Sequence, residues 1–255
     1  MLRPCRRHRA ERPGAPDVHE RYLLFQTLAS VWPIDAERLD GYIDKALREA
    51  KRNTNWVDPN HVWEGRVKAF ARALLRHEPF LEDFLPFAEQ VALAGERSAL
   101  GQLLLKLTVP GVPDIYRGDE LVDLSLVDPD NRRPVDWDAR RAALDALRAG
   151  AEPTRETMKL HVIERSLALR ARRPQAFDGP YEPVEAGAAV LAFARGTDRE
   201  VLVIVALREP GLGAVIDVAP GRYRDVLSDA ELEPDGATTV DRLVGAHGLA
   251  LLERL

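Results

Sequence analysis

Between Leu107 and Trp137 the chain reads LTVPGVPDIYRGDELVDLSLVDPDNRRPVDW, and the residues best suited to chemistry are gathered there. Tyr116 offers a flat, amphipathic surface. Asp114, Asp119, Glu120, Asp123 and Asp128 supply acceptors, and Arg117, Asn131, Arg132 and Arg133 supply donors. A sugar calls for this mixture, because it presents hydroxyls around its rim and apolar C–H faces that stack on aromatic rings. The same residues can also serve structure alone. Asp-Pro and Asn beside Arg are common in turns and caps, and Asp128 with Arg133 could be an ion pair that braces the loop. Glycoside chemistry with retention needs two carboxyl groups about 5–5.5 Å apart across the scissile bond. Asp114 and Glu120 share one short loop, and nothing in their spacing makes them oppose each other.

Elements must hold such a loop in place. Just before it, LLLKLTV is a short apolar run cut off by PGVP, which predicts a short buried strand near Leu107 to Val109. A loop leaving that strand would lie at the carboxyl edge of a sheet, where ligands bind in barrels of alternating strands and helices. Upstream the pattern is helical. RYLLFQTLASVWP sets Leu24, Leu28 and Val31 on one stripe and stops at Pro33. Asp35 is placed to cap AERLDGYIDKALREAKR, whose core side is Leu39, Ile43 and Leu47 and whose charges, Lys45 and Arg48 among them, read as a solvated face. After the NTNW turn, HVWEGRVKAFARALLR is a third amphipathic helix. The stretch from Phe80 to Leu107 reads as further helix broken at Pro86 and Gly95. RETMKLHVIERSLALRARRP is another helix, with Leu160, Ile163, Leu167 and Leu169 as its core side. Beyond Gln175, short apolar runs alternate with Gly, Pro and Asp turns, the pattern of a small antiparallel β-domain.

Composition narrows the function. At 255 residues, 45% hydrophobic and 30% charged, the chain has the make-up of a soluble globular protein with room for one or two domains. A net charge of -5 argues against nucleic acid as a partner, and no apolar run is long enough to span a membrane. The single cysteine, Cys5, fits a reducing, cytoplasmic setting. His61, His77, His161 and His247 lack metal-ligand spacing, and GLGAVIDVAPG is not a nucleotide-binding glycine loop, so no metal or cofactor is expected. Met1 to Glu20 is Arg- and Pro-rich and reads as a solvated tail. Trp32 and Trp63 suit packing more than stacking on a sugar.

TVPGVPDIYRGDEL resembles the eighth-strand segment of the α-amylase superfamily of (β/α)8-barrel enzymes, and its continuation through DPDNRRPVDW resembles the maltooligosyltrehalose synthase family. APDVHERYLLFQTLASVWP and YIDKALREAKRNTNWVDPN resemble the helical segment that precedes the last barrel strand in that family. Arg117, Asp119 and Arg97 depart from it, standing where the family usually has Gln, Thr and often Asn. The resemblance implies a tail (1–20), a helical subdomain (21–102), the last strand and helix of a (β/α)8 barrel (103–174) and a C-terminal antiparallel β-domain (175–255). It implies an intramolecular transglucosylation that turns the reducing-end α-1,4 bond of a maltooligosaccharide into an α,α-1,1 bond. Tyr116, Arg117, Asp128, Asn131, Arg132, Arg133 and Trp56 would contact that substrate. The superfamily's motifs for its aspartate nucleophile, glutamate acid/base and second aspartate do not occur here. The chain is therefore expected to match only the C-terminal portion, to carry no catalytic residue and to be inactive alone. A separate chain holding the rest of the barrel would be its partner. The alternative is a non-catalytic module that binds maltodextrin or complements a barrel.

Overall fold

The computed structural model describes residues 16–208, 213–245 and 247–255. The chain divides into two compact units, one of residues up to 93 with 124–134, the other of 94–123 with 135–255.

The first unit is helical. α1 (Val18–Val31), α2 (Ala36–Ala50), α3 (His61–Leu74) and the first part of α4 (Glu78–Thr108) enclose Leu24, Leu28, Leu39, Ile43, Leu47, Val67, Phe80 and Phe84. α1 begins at Val18 rather than Arg21, because Asp17 and Glu20 form a reciprocal capping box that satisfies the first free N–H groups. The remainder of the expected tail, residues 1–15, lies outside the described residues. Asp35 caps α2 as its position suggests, accepting from the Arg38 amide at 2.9 Å. Trp32 packs edge-on to Phe84.

α4 corrects two expectations. It runs unbroken through Pro86 and Gly95, and it continues through Thr108, so the strand expected near Leu107 to Val109 does not form. A strand needs neighbours for its backbone N–H and C=O groups, whereas a Leu-rich helix satisfies them within itself, and the Val109 amide still donates to Leu105 at 2.9 Å. Burial of Phe80, Phe84 and Ala88 on either side of Pro86 offsets the hydrogen bond that the proline removes.

The second unit packs helices on a sheet. It holds the later part of α4, α5 (Trp137–Arg148), α6 (Met158–Arg172) and α7 (Pro174–Asp178). The strands are β1 (Tyr181–Val184), β2 (Val190–Arg195), β3 (Val201–Ala206), β4 (Val215–Asp217), β5 (Tyr223–Asp225), β6 (Glu231–Leu232), β7 (Ala237–Thr239) and β8 (Leu249–Arg254). Six strands form an antiparallel sheet in the order β1-β2-β3-β8-β5-β6, and β4 pairs with β7. The register Phe193↔Val203↔Leu251 explains why every residue of β3 is apolar and buried. Val201, Val203 and Val205 face Leu100, Leu104 and Leu107 of α4, while Leu202, Ile204 and Ala206 face Ile216, Val218 and Val240. Gly101 permits the close approach of α4, since a Cβ there would stand 2.9 Å from Val205. Leu167, expected in the core, is exposed, and Val162 takes its place with Leu160, Ile163 and Leu169. Leu103, Leu104 and Leu107 of α4 and Val162, Ile163 and Leu169 of α6 thus share one core with the β-strands.

Candidate functional site

In the helical unit, residues 124–134 lie along α2 and are held by two cations from it. Asp130 opens a single 3-10 turn, Asp130–Arg132, and its two carboxylate oxygens accept from Arg38 Nε at 3.0 Å and Nη2 at 2.9 Å. One of those oxygens also accepts from the Leu126 amide at 2.7 Å, and Arg38 reaches the Leu124 carbonyl at 2.9 Å. The Arg38 guanidinium, followed by the Leu126 amide, holds the Asp130 carboxyl below the usual range against the opposing effect of burial. Lys45 donates to the Asp128 carbonyl. Leu126 packs against the helical core.

What this fastening leaves outward is the Asn-Arg-Arg run. Asn131, Arg132 and Arg133 are all exposed, and Asn131 makes no hydrogen bond among the described residues. Arg132 stands 2.5 Å from Asp128 as an ion pair that is not aligned as a hydrogen bond. Arg133 folds back on the Asp130 carbonyl at 3.1 Å and lies near its carboxylate at 3.2 Å. The bracing pairs are therefore Asp128 with Arg132 and Asp130 with Arg133, rather than Asp128 with Arg133.

Trp56 belongs to the same unit. Arg48 lies 5.0 Å from its ring centre, and the indole remains 55% exposed, enough for a second face to meet a ligand. Arg48 is itself anchored by both oxygens of Glu64, at 2.8 and 2.9 Å, with Thr54 donating to the same carboxylate at 2.7 Å. Glu64 is buried, yet the Arg48 hydrogen bond pulls its pKa from 4.5 down to about 2. A carboxyl so acidic holds no proton to give near neutrality, which removes Glu64 as a general acid. Lys45 and Arg48 are not the solvated face expected of α2. Their contacts lie 83 and 16 residues along the chain, beyond the reach of a helical pattern.

Tyr116 and Arg117 lie in the second unit, on the loop that follows α4. Tyr116 is 56% exposed and Arg117 is exposed. The Asp119 amide closes a turn on the Tyr116 carbonyl at 2.9 Å, with Gly118 at φ +88° in its third position. Basic side chains secure the stems. Arg170 donates to the Leu107 and Gly111 carbonyls at 3.0 and 3.1 Å, Arg140 to Gly118 at 2.5 Å, and Lys159 to Leu121 at 3.3 Å. Glu120 pairs with Arg140 at 3.3 Å, and Asp114 is exposed. The residues that position these candidates (Arg38, Asp130, Glu64, Arg140, Lys159 and Arg170) escaped sequence reasoning. Only Asp130, inside DPDNRRP, carried a local signal. Among the described residues no group of three metal-ligating side chains forms, and no helix is long and apolar enough to cross a membrane.

Set on this geometry, the comparisons are specific. No family model matches the chain. Two Mycobacterium tuberculosis sequences named as maltooligosyl trehalose synthase are 39% identical over 230 residues, covering 84% of this chain and 29% of their own length. The solved maltooligosyltrehalose synthase of Arthrobacter ramosus superposes with a TM-score of 0.83 at 34% identity, over 92% of this chain and 32% of that one. A glycosyltrehalose synthase gives a TM-score of 0.82 at 28% identity, with 31% of its length covered. The chain spans about a third of the length of these relatives. In sequence and in fold, it corresponds to the C-terminal portion of maltooligosyltrehalose synthase.

Proposed function

We propose that this chain is the C-terminal part of an enzyme that rearranges the reducing end of a maltooligosaccharide, turning an α-1,4 bond into an α,α-1,1 bond by intramolecular transglucosylation. The chain's share of that work is to hold sugar rather than to break bonds. In the helical unit, Asn131, Arg132 and Asp128 meet hydroxyls, Arg133 braces their turn and Trp56 adds a stacking surface; in the second unit, Tyr116 and Arg117 offer stacking and donor surface of their own. A donor set anchored before the ligand arrives lowers the entropy cost of orienting a displaced glucose, which is what a transfer within one site requires. The reacting carboxylates belong to polypeptide outside this chain, and the chain alone is inactive.

One observation carries this reading: the bidentate Arg38–Asp130 pair anchors the 124–134 segment while the neighbouring Asn131 and Arg132 stay exposed. A barrel-complementing role gains support from the third of the relatives' length that the chain spans, and from Val57 and Val112, which are 96% and 95% exposed. Incubating the purified chain with maltopentaose, alone and mixed with the N-terminal portion of the Arthrobacter ramosus synthase, separates the possibilities. A non-reducing product is expected only from the mixture. Product from the lone chain would overturn the proposal. In the mixture, Asn131→Ala and Arg132→Ala are each expected to raise KM roughly tenfold, about 1.4 kcal/mol of lost binding.

A further inference from the structure

The second unit contains a cleft of about 490 Å3 that involves neither the 124–134 segment nor Tyr116. Its volume falls within the roughly 300–1,000 Å3 of small-molecule sites. The α5–α6 connection, the first turns of α6, the turn after β5 and the approach to β8 surround it. Met158, Val162 and Leu249 contribute an apolar lining.

The polar groups narrow the ligand by what they have left to offer. Asp225 is buried and its carboxylate is occupied, accepting from Ser228 Oγ at 2.6 Å and from the Leu251 amide at 3.1 Å. Arg165 and Asp229 neutralise each other at 2.7 Å and the exposed Glu152 adds a carboxylate at the rim, so among the described lining residues no unpaired arginine or lysine invites a phosphate or a carboxylate. No group of three metal-ligating side chains forms among the described residues. Spare hydrogen-bonding capacity remains. His161 is 7% exposed and Nε2 lies 2.7 Å from the Leu227 carbonyl, so that nitrogen carries a proton and Nδ1 has no partner among the described residues. The Arg165–Asp229 pair keeps free N–H groups and lone pairs within reach of vicinal hydroxyls, and His247 is exposed at the edge.

We propose that this cleft is a second binding site for a neutral sugar, holding one end of a maltooligosaccharide apart from the residues assigned above. The choice of maltooligosaccharide rests on the proposed function; the preference for a neutral hydroxylated ligand rests on the cleft alone. Among the described residues no Phe, Tyr or Trp lines it, so affinity comes from hydrogen bonds and a Kd on the order of 1 mM is expected.

The test is a titration of the isotope-labelled chain, followed by amide chemical shifts. Maltotriose is expected to move Ala151, Ser228 and Asp229 saturably, and inorganic phosphate is expected to leave them in place. Arg165→Gln together with Asp229→Asn should weaken that response at least about tenfold. Asn tolerates a positive φ, here +59° at Asp229, so the backbone is kept. His247→Ala, an exposed change, should weaken it about threefold and serves if the double variant folds poorly. Shifts confined to Tyr116 or to Asn131–Arg133 would overturn the cleft and leave the proposed function standing. Shifts confined to the cleft would support it and count against the site assigned above. A response to phosphate, or none to maltotriose at about twenty times the expected Kd, would overturn the proposal.

Discussion

At the scale of single residues, the decisive groups are carboxylates that accept from arginine. Asp130 and Arg38 are the sharper case, because their side chains are only 11% and 18% exposed. Removing one partner strands the other in a partly dry site. Arg38→Ala is expected to lower the stability of the helical unit by about 2 kcal/mol in urea unfolding, and Arg38→Lys should recover less than half, since an ammonium cannot match the two-pronged contact. Glu64 carries a pH signature. Its folded pKa of about 2 lies below the ordinary 4.5, so its stabilisation is present above pH 4.5 and is lost as the pH falls toward 2. The full span is worth about 3 kcal/mol. Glu64→Gln should flatten the stability–pH curve between those limits. An unchanged acid slope in that variant would show that Glu64 is not the responsible group.

At the scale of elements, α4 and the loop after it make separate predictions. Pro86 sits in the ninth position of a 31-residue helix, where its ring and missing N–H cost up to about 3 kcal/mol. Pro86→Ala should therefore raise the melting temperature, and a lowered one would mean that the local bend serves packing. Gly118 has the opposite character. Its φ of +88° is unfavourable for any side chain, and a Cβ there would stand 3.1 Å from Val135. Gly118→Ala is expected to cost about 1–2 kcal/mol and to loosen the turn under Tyr116, seen as faster exchange of the Asp119 amide. These elements also show where sequence reading succeeds. α1 and α2 were legible because stripe, cap and stop agree: Leu24, Leu28 and Val31 before Pro33, then Asp35 before Leu39, Ile43 and Leu47. The end of α4 was misread because LLLKLTV suits a buried strand and a buried helix equally, and the choice belongs to hydrogen-bond partners that lie elsewhere in the chain. α5 went unrecognised although Asp136 caps it, accepting from the Ala139 amide at 2.9 Å.

At the scale of the whole molecule, each of the two units has its own core, and the second is built on a sheet covered on both faces. Ile204 lies at the middle of that sheet with no exposed surface, so Ile204→Ala should cost about 3–4 kcal/mol. Calorimetry can report that loss directly.

By itself, the sequence determined where the amphipathic helices of the first unit run and that the last eighty residues or so form antiparallel strands. Each of these is written in spacing along a short stretch, where local sterics and burial of one face act together. Only the tertiary structure decided that Asp130 anchors its segment to Arg38, that Arg48 and Lys45 leave the solvated face, and that α4 and α6 share a core with the sheet. Those outcomes join residues far apart in the chain, such as Arg38 with Asp130 and Gly101 with Val205, and such pairs are selected by three-dimensional packing and charge rather than by neighbours in the chain.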